Sequence, residues 1–193
     1  MGSQSLARWN GESAAALDRM EEVHAQLGGS GPGRRYAMQQ VNESFLVMVA
    51  SRFQRYCRDL HTETLDCLMQ VVTDPNIAPI VRGAFILGRQ LDSKNAQPSA
   101  LGSDFGRLGM KFWDEVYEAH RKNKTRKERL EVLNAWRNAI AHQDFSDARL
   151  GARTDVRLGE VRAFRRLCSA LALSFDKVAL AHVKAVAGPT AGW

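Results

Sequence analysis

The chain has 193 residues, 45% hydrophobic and 25% charged, a balance that builds a packed core and excludes collagen-like, disulfide-scaffold and globally disordered classes. Its 27 Lys and Arg against 21 Asp and Glu leave a net charge of +6, which favours polyanionic partners through counterion release. The three cysteines, Cys57, Cys67 and Cys168, lack Cys-x-x-Cys spacing, and no apolar run approaches the roughly 18 residues of a membrane span. These features predict a cytoplasmic protein with no disulfide framework, no metal site, no cofactor and no membrane association.

In residues 5 to 27, Leu6, Trp9, Leu17, Met20 and Val23 recur at mostly three- and four-residue intervals, which predicts an amphipathic helix. It ends at the Gly-rich run 28–33, read as a linker, so residues 1–34 are expected to be an appendage to a helical domain over 35–187. A phosphate-cradling loop is a poor reading of that run, because no strand precedes it and no Gly-Lys-Ser/Thr closes it. From Arg35 to Val72 there is no Pro or Gly, and Val41, Phe45, Val49, Phe53, Tyr56, Leu60, Leu65 and Leu68 form one stripe: one very long helix or two collinear ones.

Thr73-Asp74-Pro75 stops that helix and starts a short one over 76 to 91, expected to be buried. Residues 93 to 103 read as a surface loop, and a helix from about Asp104 carries Leu108, Phe112, Val116 and Ala119 on its apolar face. His120 to Arg129 is strongly basic. Arg121, Lys122, Lys124, Arg126 and Lys127 there are candidate RNA-binding residues, and a solvated turn accounts for them about as well. A last helix repeats Val161, Phe164, Cys168, Leu171, Phe175 and Val178 as a packing seam, and residues 188–193 are expected to form a disordered tail. With no alternating strand pattern and no repeat, the predicted class is all-α: a bundle of four to five main helices.

Residues 127 to 142 hold the chemistry. At about 100° per residue, Leu130, Val132, Leu133, Trp136, Ala139 and Ile140 share a broad apolar arc, while Asn134, Asn138 and His142 stack along an adjoining ridge. Arg137 can meet phosphate oxygens with its planar fork, His142 can move protons near neutral pH, and Ala141 leaves space between them. These are the groups that metal-free RNA cleavage needs. The negative end of the helix dipole favours the charged imidazole, so His142 is expected to act as an acid, with Asn138 orienting the ring or a phosphate oxygen. From the spacing alone, a purely structural role is the favoured reading, with Arg137 and Asn138 bonding loop carbonyls and His142 capping the helix.

The segment Leu130-Glu131-Val132-Leu133-Asn134-Ala135-Trp136-Arg137-Asn138-Ala139-Ile140-Ala141-His142 resembles the Leu-x-x-Leu-x-x-x-Arg-Asn-x-Ile-Ala-His run of HEPN proteins. The resemblance spans about residues 36 to 185 and is nearest to the branch associated with RNA-ligase-like and stress proteins. Many relatives carry Gly after the His, where Gln143 stands here. The resemblance implies a helical bundle that pairs about a two-fold axis, joining two Arg-x-x-x-x-His motifs in one metal-free RNA-cutting cleft. On it, Arg137, Asn138 and His142 are the expected catalytic positions.

The leading expectation is therefore a homodimeric, metal-independent endoribonuclease acting on RNA, of a toxin, stress or phage-defence kind, held in check by an antitoxin or other regulatory protein. The alternative is a non-catalytic HEPN-like dimerisation module that binds RNA or protein.

Overall fold

The computed structural model describes residues 2–27 and 33–193, and among these every regular element is helical. In chain order they are α1 (Gln4–Arg8), a wider π-type turn Trp9–Ser13, α2 (Ala14–Gln26), α3 (Arg34–Met69), α4 (Ala78–Ile86), a short 3-10 turn Gln90–Asp92, α5 (Pro98–Arg107), α6 (Phe112–Ala119), α7 (Asn123–His142), a second 3-10 turn Ala148–Leu150 and α8 (Leu158–Ala187). The all-α bundle expected from the periodicity is present. The Gly-rich linker reading falls, apart from Gly33, outside the described residues.

Two long helices form the frame. Asn42 donates to the Val156 carbonyl and the Tyr56 hydroxyl to that of Ala172, so α3 and α8 run in the same direction. Asn123 meets Ser174 while Arg129 lies over Phe164, so α7 runs against α8. Between them lies an aromatic core of Phe53, Phe105, Phe112 and Phe175, in which Phe105 and Phe112 stack at 4.4 Å. Cys57, Cys67 and Cys168 are buried free thiols, and burial pushes the Cys57 and Cys168 thiols well up from their ordinary range.

Several readings need correction. The N-terminal helix is no appendage: Leu6, Trp9 and Leu17 sit in the same core as α3 and α8. Its first-turn amides are held by carboxylates from those helices. Ser3 N–H donates to Asp176 at 3.0 Å, and Glu63 accepts from Gln4 N, Ser5 N and Ser5 Oγ at 2.7, 3.0 and 2.6 Å. Negative charge at a helix N-terminus satisfies free donors and complements the dipole. At the other end, Trp193 packs against the core rather than trailing free.

The helix at 76–91 is shorter and not buried. None of the residues of α4 is buried, and Ile80 is 73% exposed, because apolar composition does not say whether another element covers it. The expected loop at 93–103 closes earlier, since Pro98 takes the first turn of α5. The single helix expected from Asp104 is two, broken where Gly109 adopts φ +86° between α5 and α6.

Candidate functional site

The motif helix α7 is fixed from behind by Trp136, which is buried against Phe145 at 6.4 Å, with the Arg153 guanidinium 5.3 Å from its ring. Leu130, Leu133 and Ala139 fill the core side of α7 as their period requires. Arg137 and Asn138 are half-buried, and Ala141 and His142 are exposed.

Asn134 and Asn138 hold a loop rather than lining an empty ridge. Asn134 Nδ2 donates to the Ala96 carbonyl at 3.1 Å, and Asn95 Nδ2 donates to Asn138 Oδ1 at 2.7 Å. On the far side, Gln54 Nε2 of α3 donates to the Leu91 and Lys94 carbonyls, so the segment around residues 91–96 is braced from two helices. The second donor to Asn138 Oδ1 is Arg137 Nη1, at 3.3 Å. Asn138 thus orients Arg137 and makes no bond to the His142 ring, one of the two roles expected for it, the other being a bond to a phosphate oxygen. Its Nδ2 has no partner among the described residues and is left to donate outward.

His142 is the last residue of α7, and its ring makes no hydrogen bond among the described residues. The helix then stops abruptly. Gln143 takes the left-handed region at φ +54°, and Asp144 N–H returns to the Ala139 carbonyl at 3.1 Å, closing the helix end as a Gly-type cap does. Gln143 Nε2 donates to the Ile140 carbonyl at 2.8 Å, which offsets part of the strain of a non-Gly residue there. This is a physical reason for Gly at the position after the His in such motifs.

Asp144 is a neighbour that the sequence reading passed over. Its carboxylate accepts the Ser146 N–H at 3.0 Å, and hydrogen bonds from Ser146, helped by the nearby His142 charge, hold it below the usual carboxylate range. It is a fixed anion beside the imidazole. Beside Asn138 an open cleft of roughly 280 Å³ is lined by Gln97, Ser99, Glu131, Asn134, Asn138 and Arg149. Arg149 is chelated by Asp147, whose carboxyl it pulls down to about 2, and feels Glu131 across the cleft. The cleft walls are therefore amide-rich and close to neutral. Neither Asn95 nor Arg149 carried any local signal, since both reach the site only through tertiary packing.

The expected RNA-binding residues lie elsewhere. Arg121, Lys122 and Lys124 are exposed, Arg126 donates to Asn123 Oδ1 at 2.8 Å, and Lys127 Nζ sits 5.4 Å from the Trp113 ring centre. At about 1.5 Å per residue, Lys124 is roughly 20 Å along α7 from Arg137, so one chain does not bring the basic cluster and the Arg/His pair together.

Compared with protein-family models, curated proteins and solved structures, the chain matches none. No group of three or more metal-ligating side chains occurs among the described residues, and no helix there is long and apolar enough to cross a membrane.

Proposed function

We propose that this chain is a metal-independent endoribonuclease of the HEPN type. One observation carries the reading: Arg137 is oriented by Asn138, itself anchored by Asn95, at the end of α7 where His142 stands exposed with both ring nitrogens unengaged. A phosphodiester held there meets a planar cation and a group able to transfer protons.

In the proposed reaction the RNA 2′-oxygen bonds to the adjacent phosphorus while the bond from phosphorus to the 5′-oxygen breaks. The proton leaving the 2′-hydroxyl goes to a base, and an acid delivers a proton to the departing 5′-oxygen, leaving a 2′,3′-cyclic phosphate and a 5′-hydroxyl. Arg137 stabilises the charge gathering on the phosphoryl oxygens. One His per chain serves one proton transfer at a time, so a homodimer that faces two His142 side chains supplies base and acid together. A regulatory partner covering the exposed His142 would silence the site, which fits a toxin, stress or phage-defence role in the cytoplasm.

The test is cleavage of structured RNA by the purified chain in EDTA. Wild type is expected to cut, with His142→Ala and Arg137→Ala each slower by roughly 100-fold or more. Absence of cutting by wild type, or His142→Ala cutting at the wild-type rate, overturns the reading. A second reading, a non-catalytic partner-binding module, draws on the exposed apolar side chains of α4 and its flanks, Ile77, Ile80 and Leu87. It predicts self-association or protein capture that Ile80→Asp abolishes, with no RNA cut.

A further inference from the structure

On the side of α7 away from Asn138 and His142, the beginning of the helix and the middle of α8 enclose an open groove of about 500 Å³. Its charged lining is Lys122 at the N-cap of α7, Arg126 and Arg129 from α7 and Arg166 from α8; Leu167 and Ala170 form an apolar floor. At about 100° per residue, the mean direction of the α7 lining residues is roughly opposite to that of Asn138.

Three observations suit this groove to an anionic ligand. First, no ion pair among the described residues uses Lys122, Arg126, Arg129 or Arg166. The contrast is local. One turn away on α8, Arg162 is paired with Glu21, and Arg165 with Asp18 and Glu21, so α2 neutralises one face of α8 and leaves the groove face charged.

Second, α7 opens with Lys124, Arg126 and Lys127 and no acidic residue in its first turn, an arrangement the helix dipole disfavours. Cations are thus kept where they oppose the stability of the helix. Third, Arg126 and Arg129 are pre-positioned, by the bond to Asn123 Oδ1 and by the Phe164 ring 5.7 Å away, so less side-chain entropy is lost when an anion binds.

We propose that this groove is a second RNA-binding site, an exosite that grips the phosphodiester backbone of a single strand by Lys122, Arg126, Arg129 and Arg166 while ribose and base edges rest on Leu167 and Ala170. Guanidinium forks match successive phosphates bidentately. A concave groove with an apolar floor fits a chain of phosphates better than a flat anionic membrane surface. The choice of RNA over other polyanions rests on the ribonuclease reading. From the groove, a strand runs about 20 Å along α7, passing Arg137 roughly 70° around the axis before it reaches His142 on the far side, or it reaches the Arg137/His142 pair of a second copy.

The experiment uses the full chain and a fluorescein-labelled 20-nucleotide single-stranded RNA, with affinity measured by anisotropy across a salt series in EDTA and cleavage followed in parallel. Arg129→Gln/Arg166→Gln is expected to weaken binding by about tenfold and to lower the slope of log affinity against log salt by about 1.4, two phosphate contacts at about 0.7 each. His142→Ala, as the carrier of chemistry, should bind with the wild-type slope. Thermal melting of the double variant checks folding, and Lys122→Gln, at an exposed position, should shift the slope by about 0.7 without touching stability. Wild-type affinity and slope in both groove variants overturn the exosite, even if the RNA is cut. Groove-dependent binding without cleavage supports the exosite and overturns the ribonuclease reading instead. Binding to phosphatidylserine-containing vesicles in place of RNA overturns the assignment of the ligand.

Discussion

The two ends of α7 are built on opposite principles. Its C-terminal end carries a few groups held in place by other parts of the chain: Arg137 by Asn138, Asn138 by Asn95, and Trp136 between Phe145 and Arg153. Its N-terminal end carries many cations with few partners, gathered against the dipole of the helix. One cation tied into a chain of amide bonds at one end and a surplus of positive charge without ion-pair partners at the other is the division expected between a place where bonds change and a place where a polyanion is gathered.

The largest effect that would break this contrast is on the rate. His142→Ala should reduce cutting by roughly 100-fold or more at unchanged RNA affinity, whereas Arg129→Gln/Arg166→Gln should weaken affinity and leave the rate at saturating RNA unchanged. Single-turnover kinetics on both variants checks this. Equal loss of rate in both would erase the distinction between the two ends.

A pH profile sharpens the comparison only if the fold is separated from the chemistry, because a second histidine responds to acid. His61 is buried, its Nδ1 faces the Arg89 guanidinium at 3.5 Å and its Nε2 lies 3.2 Å from the Asp104 carbonyl. Burial first, then Arg89, lowers its pKa to about 4. Arg can only donate, so the neutral ring carries its proton on Nε2 and gives it to Asp104. The unfolded chain takes up this proton near 6.5 and the folded chain only near 4. The stability from neutral His61 is therefore complete above about pH 6.5 and lost as pH falls towards 4, by up to about 3 kcal/mol. Urea melts of wild type and His61→Gln between pH 7 and 4 should show a flatter acid limb in the variant. Parallel limbs would remove His61 from the account.

Smaller effects separate the parts of the motif end. Asn138→Ala leaves Asn95 and Arg137 without their shared acceptor and should cost about 1–2 kcal/mol in denaturant melts, with a drop in cutting. Gln143→Gly should do the reverse, adding about 0.5–1 kcal/mol by relieving the φ +54° backbone, reduced by loss of the bond to Ile140. A destabilised Gln143→Gly protein would mean that the side-chain bond outweighs the strain.

Much of this frame is legible in the sequence, for a simple reason. α3, α7 and α8 bury one continuous face each, so a helical period written in Phe45, Val49 and Phe53, or in Phe164, Cys168 and Leu171, suffices to find them. What periodicity cannot supply is the partner. Ser3 and Ser5 look like solvent-facing residues until Asp176 and Glu63, distant in sequence, receive them. Ile80 looks like core and is not. The candidate site divides in the same way: Arg137, Asn138 and His142 stand in one short run, while Asn95, Arg149 and the groove cation Arg166 join only through packing.

The central claim is that the RNA's own 2′-hydroxyl is the nucleophile at an Arg137/His142 site. The most direct measurement uses one oligonucleotide with a mapped cleavage position and its twin carrying a single 2′-deoxy substitution there, both incubated in EDTA with wild type and His142→Ala. The account predicts cutting of the all-ribose strand by wild type, with a cyclic phosphate on the upstream fragment, and no cutting of the 2′-deoxy strand or by His142→Ala. Cutting at the deoxy position, or fragments ending in a 3′-hydroxyl, would contradict it.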